Sequence, residues 1–207
     1  DHGNIYLGAY AGRCTNDNSW GNNVFVGQQS GQNNTTGYHN TGVGCGVFQA
    51  GVMTGYRNIA FGRMAAQYMT SGHSNIAFGG HALYGSTTHS DNTFGCNVAL
   101  GVEAGRCISS GTHNVLLGYD SGKNITSGDG HTVLGKEAGI AITDSDDNII
   151  IGTDAGQTLN ANLNVILGKE AGRCYNSDKS VLIGQNAGKM LGVAGSNVAV
   201  GPFTVGG

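Results

Sequence analysis

Short apolar triplets, each opened by a polar residue and closed by glycine, recur along the whole chain. The phrase is Asn, a β-branched residue, two mostly apolar residues, then Gly. It reads NIYLG at 4–8, NVFVG at 23–27, NIAFG at 58–62 and 75–79, NVALG at 97–101 and NVLLG at 114–118. It continues as NIIIG at 148–152, NVILG at 164–168 and NVAVG at 197–201, with weaker copies NTGVG at 40–44, HTVLG at 131–135 and SVLIG at 180–184. The closing glycines are Gly8, Gly27, Gly44, Gly62, Gly79, Gly101, Gly118, Gly135, Gly152, Gly168, Gly184 and Gly201, spaced 16 to 22 residues apart and most often 17. A unit this short cannot bury a core alone, so each must stack on its neighbours.

Each triplet predicts a strand. Ile and Val dominate the second position of the phrase, where stiff side chains suit a pleated surface. The fourth position is also large and apolar, from Leu7 to Val200. These two positions share one face of a strand, and the middle residue points the other way. Burial is expected to concentrate at the second and fourth positions. The middle residue is often apolar too, as in Phe25, Leu116, Ile150 and Ile166. A strand apolar on both faces is covered on both sides. One coil has one interior, so the second face predicts a partner chain, and Asp at Ile150 or Ile166 is expected to break assembly. The expected fold is all-β: an elongated parallel β-solenoid or β-roll of about twelve ~17-residue coils, homotrimeric, and one rod domain over residues 1–207. At about 4.8 Å per stacked strand it reaches roughly 55–60 Å.

The segments between strands refine the coil. Three residues after each closing glycine stands Ala or Ser in most units, usually followed by a second Gly such as Gly12, Gly31 or Gly122. That pattern predicts a sharp turn. The polar remainder predicts a second, poorer strand and an exposed loop. The long step from Gly79 to Gly101 predicts a projecting loop around Thr87–Cys96, with NTFG at 92–95 as a slipped copy of the phrase. The opening Asn residues, among them Asn4, Asn23, Asn58, Asn75, Asn114, Asn148 and Asn164, would lie above one another. They are expected to form an amide ladder; an Asn that only favours a turn before a strand is the alternative. Gly8, Gly27, Gly62, Gly118, Gly152 and Gly168 are the structural glycines of the same scheme.

Composition narrows the rest. Gly supplies 38 of 207 residues and charged residues only 11%, yet the regular Ile/Val/Leu pattern argues for order. The net charge of −3 offers no basic patch for nucleic acid. No apolar run is long enough for a membrane-spanning helix. The chain begins at Asp1 and ends in VGG, and is expected to be a piece of a longer polypeptide.

Candidate chemistry is sparse. The five cysteines (Cys14, Cys45, Cys96, Cys107, Cys174) are read as free, small apolar fillers suited to a reducing compartment, with an interchain disulfide as the alternative. His39, His73, His113 and His131 are read as turn residues. Asp144, Asp146 and Asp147 cluster oxygen ligands and are weak calcium candidates, lacking the glycine and distal Glu of a calcium loop. No acid pair, nucleophile arrangement or cofactor motif points to an enzyme, and no cofactor is expected. Exposed aromatics are the candidate binding residues: Trp20, Tyr38, Tyr56, Tyr84 and Tyr175, all in inter-strand segments. Such rings stack on sugars at low entropy cost.

The phrase N-[IV]-x-x-G-x-x-[AS]-G, carried by residues 3–12, 114–122, 148–156 and 164–172 with NTTG (34–37) and ITSG (125–128) spacers, resembles the repeats of bacteriophage tail-fibre and related virion appendage proteins. It is also similar to the head repeats of trimeric autotransporter adhesins. The period here is longer than theirs, and the chain contains no neck, coiled-coil stalk or membrane anchor, which favours the phage resemblance. That resemblance implies a homotrimeric virion fibre or spike segment that extends toward the host surface, either binding a host glycan or spacing a tip. Its partners would be copies of itself and other virion proteins, and its location a virion appendage. A bacterial surface adhesin or extracellular structural filament is the alternative.

Overall fold

The structure, a computed structural model, describes residues 3–16, 21–87, 92–189 and 195–202. Twelve three-residue strands form one parallel sheet in strict chain order. They are β1 (Ile5–Leu7), β2 (Val24–Val26), β3 (Thr41–Val43), β4 (Ile59–Phe61), β5 (Ile76–Phe78), β6 (Val98–Leu100), β7 (Val115–Leu117), β8 (Thr132–Leu134), β9 (Ile149–Ile151), β10 (Val165–Leu167), β11 (Val181–Ile183) and β12 (Val198–Val200). The register never slips. Second position pairs with second and middle with middle, as in Val115↔Thr132↔Ile149 and Leu116↔Val133↔Ile150. The chain is a β-solenoid with a rise of one strand per repeat. The second strand expected in the polar segment is absent among the described residues. Only single bridges form there, such as Tyr38↔Tyr56 and Tyr56↔His73.

The orientation of the triplet is the reverse of the expectation. The middle residues are the coil interior: Phe25, Ala60, Ala77, Ala99, Leu116, Val133, Ile150, Ile166 and Leu182 are all buried. The second and fourth positions face outward. Alternation settles which residues share a face but does not say which face closes on itself. A second buried column holds Ala65, Ala82, Ala104, Ala138, Ala155, Ala171 and Ala187, and a third wall holds Met69, Phe94, Ile108, Ile125, Ile142, Leu159 and Tyr175. Phe94 explains NTFG: it belongs to this third wall and is no slipped strand. Asn92 closes the neck of that insertion, accepting from the Ser86 amide at 2.7 Å and donating to the Ser86 carbonyl at 2.8 Å. Residues 88–91 of the expected projecting loop lie outside the described residues.

Two devices lock the stack. The closing glycines form a spine with φ of 134° at Gly118 and 140° at Gly152. A Cβ added to Gly118 would lie 2.5 Å from the Gly135 carbonyl oxygen, and one on Gly152 would lie 2.4 Å from that of Gly168. Backbone approaches backbone there, and no side chain fits. The second device is the ladder of opening residues. The Asn23 amide N–H donates to Asn4 Oδ1 at 2.9 Å, and Asn40 to Asn23, Asn58 to Asn40 and Asn75 to Asn58 each at 3.0 Å. The side-chain NH2 donates sideways to a loop carbonyl, as from Asn58 to Gly72 at 2.8 Å. All but Asn4 of the Asn rungs through Asn164 are buried. In a dry interior such groups cost free energy unless bonded, and the ladder bonds them.

Candidate functional site

The outward face of the sheet is the most distinctive surface. Its two columns run Ile5, Val24, Thr41, Ile59, Ile76, Val98, Val115, Thr132, Ile149, Val165, Val181, Val198 and Leu7, Val26, Val43, Phe61, Phe78, Leu100, Leu117, Leu134, Ile151, Leu167, Ile183, Val200. Only two Thr interrupt them. Phe61 and Phe78 stack on this face with ring centroids 4.7 Å apart. Ile59, Phe78, Val115, Ile149, Ile151 and Ile183 are exposed even mid-rod. Val102 and Tyr119, each just after a closing glycine, are 47% and 50% exposed, in a slot that holds Gln28, Arg63, Lys136 and Lys169 in other coils. With about 4.8 Å per strand and side chains about 10 Å across two columns, the strip is on the order of 500 Å². That is about the size of the largest apolar patch on a typical monomer, roughly 300–600 Å², and such patches are often functional.

A second surface is a column two residues before each ladder rung. It runs Tyr38, Tyr56, His73, Gly95, Thr112, Asp129, Asp146, Asn162, Asp178. Tyr38 and Tyr56 stack at 5.1 Å and 4°, and Tyr56 stacks on His73 at 5.2 Å and 12°. Tyr56 is thus covered on both faces and offers only its edge to a ligand, while Tyr38 has one face on Tyr56. Further along, Asp129 accepts from Thr112, Asp146 from the Asp129 amide at 2.9 Å and Asn162 from the Asp146 amide at 2.8 Å. Asp146 is therefore a ladder member. Asp147 sits in the next column with φ 55°, and Asp144 accepts from Asn160 at 3.0 Å and Thr143 at 2.9 Å. The three acids do not converge, and no metal-holding group forms among the described residues.

The remaining aromatic candidates separate. Trp20 lies outside the described residues. Tyr175 is buried, with its hydroxyl against Ser180 and 3.1 Å from the Asn197 amide nitrogen. It is a core residue, because it takes the slot filled by Ile108 and Ile125 in other coils. Tyr84 lines an open groove of about 330 Å³ with Ser86, Thr87, Arg106, Ser109 and Thr126. The Arg106 guanidinium lies over the Tyr84 ring at 5.5 Å, and the Tyr68 and His81 rings meet it edge-on at 4.9 and 5.1 Å. Burial raises the Tyr84 phenol above its ordinary value, so it is a neutral hydroxyl. The same burial, with Arg63 and Arg106 nearby, lowers His81.

The cysteines are not buried fillers. Cys14, Cys45 and Cys174 are exposed, Cys96 and Cys107 half-buried, and all are free. Cys14, Cys107 and Cys174 share one slot, six residues after the closing glycine, where the Cys14 thiol points at Asn33 Oδ1 3.7 Å away; Cys45 and Cys96 occupy others. His131 also departs from the turn reading: it is buried, as a rung of the ladder. Glu103, Asp120, Glu137 and Glu170 share a slot with φ of 55–59° and pair with basic neighbours, as in Lys123 to Glu103 at 2.6 Å. That bond holds the Glu103 carboxyl below its usual range. No protein-family model, no curated protein and no solved structure matches the chain.

Proposed function

We propose that this chain is a shaft or spike segment of a homotrimeric virion fibre of the bacteriophage tail-fibre type, located on the virion appendage and reaching toward the host surface. The observation that supports it is the outward apolar face. It runs the full length of the rod in unbroken register, on a sheet whose other face already closes the coil. Two further copies in parallel and in register would cover it along its whole length. A rod held by repeating backbone contacts suits a mechanical role, and the reading is structural, not enzymatic.

The groove at Tyr84 suits recognition of a host glycan better than the other aromatics do. Its hydroxyls and guanidinium can bond sugar oxygens or a sugar carboxylate, whereas Tyr56 is stacked on both ring faces and Tyr38 on one. Immunogold electron microscopy on a culture producing the protein tests the reading. Label on the distal appendages of phage particles supports it. Label on the bacterial envelope, with none on particles, would replace it with the adhesin alternative.

A further inference from the structure

Eleven rungs of the ladder are Asn or Ser, which do not titrate; the twelfth is His131. Its backbone N–H donates to Asn114 Oδ1 at 2.9 Å, as an Asn would. Its Nε2 lies 2.7 Å from the Ser145 carbonyl oxygen, and its Nδ1 lies 3.2 Å from the Asn148 amide nitrogen. A carbonyl can only accept, so Nε2 carries the hydrogen. An amide N–H can only donate, so Nδ1 must be bare. Backbone partners on both sides therefore fix one neutral tautomer.

We propose that His131 is an acid-sensitive rung, so that a proton on its Nδ1 parts β8 from β9 and makes the rod yield there first. Protonation sets two donors against each other in a buried site, and neither can turn to water. The charged groups facing the ring are Asp129 on its own coil and Asp146 and Asp147 on the next; His113, one residue before the Asn114 rung, is exposed. The bond to the Ser145 carbonyl and the three carboxylates favour the imidazolium, but burial outweighs them and holds His131 below the ordinary imidazole value.

The sign follows from linkage. The unfolded ring takes a proton near about pH 6.5 and the folded ring only at lower pH. Stability from this rung is fully present above the unfolded value. It falls as pH drops through the window down to the folded value, by about tenfold in the folding constant per pH unit. Neither the trimer nor the virion is needed for this behaviour.

Amide hydrogen exchange on the assembled protein tests it, comparing wild type with His131→Asn, the residue most other rungs carry. Between about pH 7.5 and about pH 5.5, corrected for intrinsic exchange, the wild type should lose protection over residues 131–152 relative to the variant, by up to about tenfold. Coils near Asn58 should behave alike in both. Equal acid responses over 131–152 would overturn the proposal. Ring NMR on the wild type provides a second test that needs no variant. A bare Nδ1 and a depressed titration support the proposal, and a ring that takes its second proton at or above the ordinary value with the rod intact refutes it.

Discussion

Phe48 fills the room that a side chain at residue 42 would need: a Cβ built on Gly42 would lie 3.1 Å from the Phe48 ring and 3.0 Å from Val47. The two residues are six apart, the middle of a strand and the turn that follows it. The reverse arrangement holds one coil earlier. There Phe25 is the strand centre, and a Cβ on Gly31 would lie 2.3 Å from its ring. Large strand centres, including Leu116, Val133 and Ile166, face glycine at the turn (Gly122, Gly139, Gly172). Small centres at Gly42 and Ala77 face Phe48 and Leu83. In these coils the cross-section is filled from one side or the other, whereas Ala60 with Ala66 and Ala99 with Gly105 are small on both sides.

This complementarity predicts strong coupling. Gly31→Ala should cost about 1–3 kcal/mol from overpacking and the left-handed φ of 61°. In a Phe25→Ala background the overpacking part should vanish, leaving a coupling energy of about 1 kcal/mol or more in a double-mutant cycle from denaturant unfolding. Additive costs would mean the two sites do not share space.

Asn58→Ala should be far more damaging than Asn162→Ala. Asn58 Oδ1 serves the backbone and side chain of Asn75, and its NH2 serves Gly72 and Asn40. Removing it strands several buried partners, at about 1–3 kcal/mol each. Asn162 bonds in the solvent-facing ladder, where water replaces it, and about 1 kcal/mol or less is expected. Thermal unfolding of the two variants side by side checks the difference.

Gly118→Val and Gly152→Val should prevent correct stacking, because their Cβ atoms would strike the next carbonyl at 2.5 and 2.4 Å. Expression without the parent's cooperative melt is the expected outcome; an unchanged melting temperature would contradict the glycine spine.

Leu163 carries φ 61° while 51% exposed. Leu163→Gly should be neutral or stabilising, since relief of left-handed strain offsets glycine's entropy cost of about 0.5–1 kcal/mol. Leu163→Val should lose about 1–2 kcal/mol, because a β-branched residue fits that region poorly. Chemical denaturation of both variants reads the sign directly.

The strands, their number, their period and the glycine spine were legible from N-[IV]-x-x-G alone, since the phrase repeats at the spacing of one coil. The inward face was not, because Ile149, Ile150 and Ile151 are all apolar and alternation assigns no direction. The six-residue size relation between Phe25 and Gly31, and its inversion at Gly42 and Phe48, carried the missing signal. Tyr175 and His131 were misplaced for a related reason. Each is a polar-capable residue in a slot held elsewhere by Ile108 or Asn114, and slot outranks residue type in a repeat. The left-handed slot at Glu103 and Glu170 left no mark, because Tyr10, Gln29, His81 and Asp154 occupy it equally.

Substitutions on adjacent residues separate coil from assembly. Ile150→Asp places an unpaired charge in the coil interior and should cost several kcal/mol, unfolding the local coils. Ile149→Asp and Ile151→Asp point outward and should leave the coil folded while dissociating the copies. Circular dichroism paired with sizing distinguishes the two effects, and the same result for all three variants would contradict the orientation of the face.

Light scattering on the purified, folded chain tests the outward face most directly. A trimer of about 63 kDa, three times the 21.1 kDa chain, that persists on dilution is the expected result. A soluble, folded 21.1 kDa monomer with its apolar strip open to water would contradict it.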